Sequence, residues 1–87
     1  MNEELGRIVI SKAGRDAGRK FVIVRVIDES YVEISDGDLR KIEKPKKKKI
    51  KHLNITNCRL EILAEKLKNK ERITNAEIRK LLEGLDC

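Results

Sequence analysis

The 87-residue sequence is long enough for one small domain, and its 39% of hydrophobic residues allows only a thin core. Aromatic residues make up 2% of the chain, so that core is expected to be aliphatic. A formal net charge of +6 favours an anionic partner. With no apolar run of membrane-spanning length and no signal-peptide pattern, we expect a cytoplasmic protein without a membrane segment.

The first half of the chain predicts short strands. Five stretches rich in β-branched or apolar residues are bounded by turn-forming residues, namely residues 7–11, 21–27, 31–34, 39–42 and 51–55. The second stretch is almost continuously apolar, which is typical of a central strand with neighbours on both faces. Four or five short strands on tight turns favour a small barrel, because closure removes exposed sheet edges.

The second half predicts two short helices. Apolar residues follow helical spacing at Leu60, Leu63, Ala64 and Leu67, and again at Ile78, Leu81, Leu82 and Leu85. Thr74 and Glu77, three residues later, match a capping box, and Ile73 and Ile78 are spaced for a hydrophobic staple. Gly84 predicts the end of the second helix. Because both helices are short, we expect them to pack on each other, on the barrel or on a partner.

Residues 12–20, between the first two strands, form a segment that we call the glycine loop. Gly14 and Gly18 permit positive φ angles and the close approach of another backbone. The basic side chains around them suit phosphate oxygens, and they are Lys12, Arg15, Arg19 and Lys20. The pattern fits a clamp on a nucleic-acid backbone and, equally well, a hairpin loop whose glycines only turn the chain. Asp16 is expected to order Arg15 or Arg19.

Residues 6–27 resemble the KOW motif, which consists of a strand, a basic loop containing glycine, and a second strand. The matching stretches are residues 8–10, 14–19 and 22–26. Gly18 falls at the motif's characteristic glycine, whereas Phe21 stands where many such loops have another glycine. On these residues the chain is similar to the KOW proteins of the archaeal and eukaryotic large ribosomal subunit.

The resemblance implies an α+β fold with an SH3-like five-stranded barrel, and it also implies contact with ribosomal RNA or with a ribosomal or polymerase protein. Together with the patterning, it predicts the barrel over residues 1–56, with a basic loop at 43–51, and a helical pair over 57–87 packed on the barrel. We expect no cofactor, and a monomer away from the ribosome. The alternative is a protein-interaction module that uses the barrel or the leucines of the helices to bind a partner. We expect these leucines instead to cover the barrel, because a thin core needs that cover.

Residues 40–51 carry eight basic residues and one acidic residue, whereas the rest of the chain has a net charge of −1. The predicted phosphate contacts of this basic segment are Lys44, Lys46, Lys47, Lys48, Lys49 and Lys51. Pro45 and mutual repulsion favour an irregular loop that is pushed outward. Because the run lies inside a globular pattern, we favour RNA binding over a merely solvated loop or a membrane-surface contact. Charge alone does not separate RNA from DNA, and the resemblance favours RNA.

No residue pattern predicts catalysis or a metal site. His52 is the sole histidine and lacks a recognisable nucleophile or orienting partner, so we expect no enzymatic activity. Cys58 and Cys87 fit no metal spacing and are expected as free thiols, with a bridge between them as the less favoured alternative. Phe21 is expected in the core. Tyr31, at a turn, is the one candidate for stacking on a base, so recognition should rely mainly on phosphates and shape.

Overall fold

Five antiparallel strands and two helices make up the fold, which a computed structural model describes over residues 4–85. The strands are β1 (Arg7–Ser11), β2 (Lys20–Val26), β3 (Tyr31–Ser35), β4 (Lys46–Lys49) and β5 (Leu53–Arg59), and the helices are α1 (Glu61–Lys68) and α2 (Asn75–Glu83). The strands form one sheet in the order β4-β3-β2-β1-β5. This arrangement confirms the predicted α+β class, a small SH3-like barrel followed by two helices.

The central strand β2 separates two hydrophobic clusters, because successive side chains of a strand point to opposite faces. Phe21 and Ile23 belong to the inner cluster, whose buried members are Val9, Phe21, Ile23, Val32, Ile34 and Leu53. Val22 and Val24 belong to the outer cluster, whose buried members are Ile8, Val22, Val24, Leu63, Ile73 and Ile78. The continuous apolarity of β2 therefore has the predicted cause, and Phe21 lies in the core as predicted.

The two helices cover the outer cluster. Leu63 of α1 and Ile78 of α2 are fully buried in it, and the remaining helical leucines pack against it at partial burial. In this structure the leucines therefore pack on the side of the sheet that holds the outer cluster. Within residues 4–85, no helix is both long enough and apolar enough to cross a membrane.

The N-terminal cap of α2 has the predicted geometry. Thr74 Oγ1 accepts a hydrogen bond from the Glu77 backbone N–H at 3.2 Å, and Glu77 Oε1 accepts one from the Thr74 backbone N–H at 3.4 Å. Ile73 and Ile78, the two staple residues, lie in the same buried cluster, and Gly84 is the C-cap residue.

The prediction for the basic segment is wrong in its structure. Residues 39–42 are not a strand, and the predicted loop at 43–51 contains β4 and a 3₁₀ turn over Ile50–His52. β4 pairs with β3, where Lys47 lies opposite Glu33 and Lys49 lies opposite Tyr31. The hydrogen-bonded pairing of β4 with β3 thus outweighs the repulsion among the lysines. Pro45 precedes β4, where its missing N–H removes no bond from the ladder.

The last strand also differs from its prediction, because β5 spans Leu53–Arg59 and not residues 51–55. Cys58, near its end, is disulfide-bonded, so the expectation of a free thiol at this position is wrong. The other cysteine of the expectation, Cys87, lies outside the described residues.

Candidate nucleic-acid interface

The glycine loop is closed by backbone hydrogen bonds at its base. Ser11 N donates to Arg19 O at 3.1 Å, and Gly18 N donates to Ser11 O at 2.8 Å. Gly14 and Gly18 have φ angles of 79° and 87°, which other residues adopt only with strain. A Cβ built on Gly18 would have no neighbour within 4 Å, so the backbone angle requires glycine there and the surrounding space is open to another molecule.

A lysine of β4 connects the glycine loop to the basic segment. Lys48 Nζ donates a hydrogen bond to Ala13 O at 3.2 Å and lies 3.8 Å from the position of a Cβ on Gly14. A second link joins the same parts of the chain, because Lys12 N donates to His52 O at 2.9 Å. The two basic elements, which are separate in sequence, therefore form one continuous surface.

The pleat of β4 divides its four lysines into two pairs. Lys46 and Lys48 lie opposite Ile34 and Val32, so they share the barrel side of the strand and are half-buried. Lys47 and Lys49 point to the other side and are exposed. On that side the Nζ atoms of Lys47 and Lys49 lie 4.6 and 5.8 Å from the centre of the Tyr31 ring. A loop would not have imposed this division.

Two buried carboxylates hold arginines at the edge of the surface. Asp16 binds Arg40, with 3.4 Å between Oδ2 and Nη2, and Asp36 binds Arg19 at 3.3 Å. The expectation that Asp16 orders Arg15 or Arg19 is wrong, because the Asp16 carboxylate binds Arg40 instead. Arg40 is distant in sequence, so proximity along the chain did not point to it. Asp36 also accepts hydrogen bonds from the backbone N–H groups of Asp38 and Arg40, at 3.0 and 2.8 Å, and so fixes the turn after β3.

The predicted contacts therefore fall into two classes. Some cations already have a protein partner: Arg19 pairs with Asp36 and Asp38, Lys20 Nζ donates to Leu85 O at 3.3 Å, and Lys48 binds Ala13. The other side chains are exposed and make no hydrogen bond or ion pair within residues 4–85, namely those of Lys12, Arg15, Lys44 and Lys51. The charges of the second class face the solvent, and those of the first class are held against the protein.

The predicted residues do not all converge on one point. Arg19 and Lys20 line a cavity on the α2 side, together with Arg79. Lys44 and Lys46 line another beside Arg40. The surface thus extends from α2 across the glycine loop to β4. The sequence did not point to Arg40 and Arg79 as residues that hold this surface in shape. Arg40 does so through Asp16, and Arg79 Nη1 donates a hydrogen bond to Gly37 O at 2.6 Å.

The part of the chain that the structure describes was found to hold no cluster of metal-binding side chains. Residues 4–85 contain no group of three or more His, Cys, Asp or Glu side chains able to hold a metal ion. The chemistry available on this surface is that of ammonium and guanidinium groups, which bind anions.

Comparison with known proteins finds relatives that are named as a large ribosomal subunit protein. No protein-family model matches the sequence. The large ribosomal subunit protein eL14 of Pyrobaculum calidifontis is 32% identical over 81 residues, which are 93% of this chain and 72% of the relative. The protein of that name from Hyperthermus butylicus is 34% identical over 92% of this chain and 74% of its own length. That from Desulfurococcus amylolyticus is 41% identical over a shorter match, 68% of this chain and 62% of its own length.

Proposed function

This chain belongs to the family of the large ribosomal subunit protein eL14, and from that membership we propose that it binds ribosomal RNA as part of the large subunit. The family agrees with the KOW resemblance of residues 6–27. It favours ribosome association over a separate protein-interaction module. The relatives are named as ribosomal proteins and not as enzymes, and we propose no catalytic role for this chain.

The observation that carries the proposal is the hydrogen bond from Lys48 to Ala13. It joins the two most basic parts of the sequence into one face, which extends over the glycine loop and β4. RNA carries closely spaced phosphates, and every phosphate that a cation neutralises releases counterions into the solvent. A continuous cationic face of this kind suits a folded RNA backbone better than it suits a single small anion.

In this proposal some cations contact phosphates directly, and others hold the surface in shape. Lys12, Arg15, Lys44, Lys47, Lys49 and Lys51 contact phosphates, since each is exposed. Lys48, Arg19 and Lys20 hold the face in shape through their protein partners and add positive potential. Lys46, half-buried in the cavity that Lys44 also lines, adds positive potential beside the phosphate contacts. Gly14 and Gly18 let the RNA backbone approach the loop closely.

The remaining parts of the proposal concern organisation and setting. Residues 1–56, the predicted barrel, carry the RNA contacts, and residues 57–87 cover its outer cluster, although β5 continues to Arg59. We place the protein on cytoplasmic ribosomes, where ribosomal RNA and neighbouring ribosomal proteins are its partners, and we expect a monomer when it is free.

Two variants with the same five positions substituted test the proposal, one that removes the positive charges and one that keeps them. In the neutral variant, Lys44, Lys46, Lys47, Lys48 and Lys49 are all changed to glutamine; in the control, the same five become arginine. Binding of large-subunit RNA is measured over a series of salt concentrations. The slope of log affinity against log salt should fall by roughly 0.7–0.9 for each phosphate that the neutral variant leaves without a cation. The arginine control should keep the parent's slope. Equal slopes for the parent and the neutral variant would exclude β4 from the interface.

A further inference from the structure

A cavity of about 480 Å³ lies beside the outward pair of lysines on β4. We call it the Tyr31 pocket, and its lining residues are Glu29, Ser30, Tyr31, Lys49, Ile50 and Lys51. Its volume falls within the range of about 300–1,000 Å³ that is usual for small-ligand sites. The lining combines an aromatic ring and an aliphatic side chain with two cations, a hydroxyl and a carboxylate.

Hydrogen bonds from backbone N–H groups hold the walls of this pocket together. Ile50 N donates to Ser30 O at 2.8 Å, which joins its two walls. Asp28 Oδ1 accepts from the backbone N–H groups of Ser30 and Tyr31 at 2.7 and 2.9 Å, which fixes the turn that leads into β3. Sites on strands and on turns held in this way keep their geometry better than sites on unsupported loops.

The Tyr31 ring is not part of either hydrophobic cluster within the described residues. It is half-buried, and the ammonium groups of Lys47 and Lys49 lie 4.6 and 5.8 Å from its centre. An aromatic face that attracts cations is electron-rich, and the two lysines have flexible stems that can leave the ring. A flat heteroaromatic group can then take the same place, because a base stacks on any accessible aromatic face.

The polar groups around the ring are also available. The side chains of Glu29 and Ser30 have no hydrogen bond within residues 4–85, and neither does the ammonium group of Lys51. The carboxylate of Glu29 accepts hydrogen bonds from amino and imino groups at a base edge, while Lys49 and Lys51 suit a phosphate. The ring and the acceptor thus suit the face and the edge of a base, and the cations suit the phosphate of the same nucleotide.

From this arrangement we propose that the Tyr31 pocket binds one unpaired nucleotide of RNA, with the base stacked on Tyr31 and the phosphate held by Lys49 and Lys51. The proposal rests on the RNA-binding function and deepens it, because it adds base recognition at one point to an interface that otherwise reads only phosphates. Glu29 then favours bases with several donors at the Watson–Crick edge, of which guanine has the most.

The ring signals of Tyr31 and Phe21 can be assigned directly, because Tyr31 is the only tyrosine of the chain and Phe21 its only phenylalanine. The ring signals of Tyr31 are followed by NMR during titration with a short single-stranded RNA. A second titration uses an abasic strand of equal length, which carries the same phosphates. Stacking should move the Tyr31 ring signals upfield when the intact RNA is added, and not when the abasic strand is added. The Phe21 signals serve as an internal control, because that side chain is fully buried.

Two substitutions extend the test to affinity. Tyr31→Leu keeps apolar volume and removes the ring, and it should weaken binding of the RNA roughly five- to 150-fold without changing binding of the abasic strand. Tyr31→Phe should bind like the parent, and its NMR spectrum checks that the fold is kept. If Tyr31→Leu binds the RNA like the parent, or if the abasic strand shifts the Tyr31 ring signals equally, the proposed nucleotide site is wrong, whereas the proposed RNA binding is unaffected. If the parent binds no RNA at all, both proposals fail.

Discussion

At the scale of single residues, Gly37 fixes the turn after β3 against α2. Its φ angle is 74°, and a Cβ at this position would collide with the backbone oxygen of Asn75. The Gly37 carbonyl accepts the hydrogen bond from Arg79, so the turn and the helix are joined there. This turn also contains Asp36, which holds Arg19 of the glycine loop.

Gly37→Ala should therefore destabilise the protein, whereas Gly18→Ala provides a control with a similar φ angle and no nearby atom. The control should cost about 1–2 kcal/mol, from the left-handed backbone alone. Gly37→Ala should cost more, because a backbone atom cannot move aside as a flexible side chain can. Denaturant unfolding of the three proteins measures the difference. Equal free energies of unfolding for the two variants would show that the turn and α2 are not tightly joined.

The free cations of the glycine loop give a second residue-scale prediction. Changing both Lys12 and Arg15 to glutamine should weaken RNA binding to a similar extent for all sequences and lower the salt slope by roughly 1.4–1.8. The matched control changes Lys68 and Arg72, two exposed cations at and beyond the end of α1, to glutamine. The control loses the same net charge, so a similar slope change in both variants would mean that RNA responds to total charge and not to this face.

At the scale of elements, α2 owes part of its stability to its N-terminal cap. Thr74→Ala removes the hydroxyl that accepts from the Glu77 backbone, and it should cost about 1 kcal/mol. Thr74→Ser, which keeps an acceptor at the same position, should cost much less. Chemical denaturation of both variants tests this prediction, and equal losses would show that the methyl group of Thr74 matters more than its hydroxyl.

The ion pair that joins α1 to α2 makes this contact pH-dependent. The hydrogen bond from Lys66 Nζ to Glu77 Oε2, at 2.8 Å, lowers the pKa of Glu77 and raises the pKa of Lys66. A lowered carboxyl pKa stabilises the fold above the unfolded-state pKa, and this contribution is lost as pH falls through the folded-state pKa. The raised lysine pKa contributes below its unfolded-state value and is lost at alkaline pH.

Glu77→Gln should therefore be less stable than the parent near neutral pH, and the difference should shrink as the pH falls through the acid range. Denaturation midpoints of the two proteins, measured over a pH series, give the comparison. A difference that stays constant into strong acid would mean that the ion pair is not its cause. Because both groups are solvent-accessible, the effect should also decrease with added salt.

The elements differ in how far the sequence predicts them. β1, β2, β3 and the cap of α2 were predictable, because apolar runs, turn residues and the Thr74–Glu77 spacing are local signals. β4 was not, because four consecutive lysines carry no alternation of apolar and polar residues. Its strand conformation comes from pairing with β3, and lysines on an edge strand also protect a sheet from aggregation. The hydrogen bond from Lys48 to Ala13 follows from that pairing and was equally beyond local signals.

At the scale of the whole molecule, the barrel and the helices share one core. Ile8, Val22 and Val24 of the sheet are buried against Leu63, Ile73 and Ile78 of the helical part. The outer face of the sheet therefore also carries buried apolar side chains, and the helices cover them. A thin aliphatic core in a small domain has little stability to spare.

A chain that ends at Arg59 should therefore fail to fold as a stable monomer, even though it keeps all five strands. It leaves the apolar outer face of the sheet exposed. Circular dichroism and size-exclusion chromatography should show disrupted structure or association. The control is a full-length chain with Ile62→Ser, a substitution at an exposed apolar residue of α1, which should remain folded and monomeric. A cooperative, monomeric truncated chain would mean that the helices are free for another partner.

The most direct test of the central claim is sedimentation of the tagged protein from a cell lysate through a sucrose gradient, at low and high salt and after ribonuclease treatment. We expect the protein to migrate with the large ribosomal subunit, and both high salt and ribonuclease should release it. The variant with the five lysines of residues 44–49 changed to glutamine should be released at lower salt than its arginine counterpart. A parent protein that remains at the top of the gradient at low salt would contradict stable ribosome association.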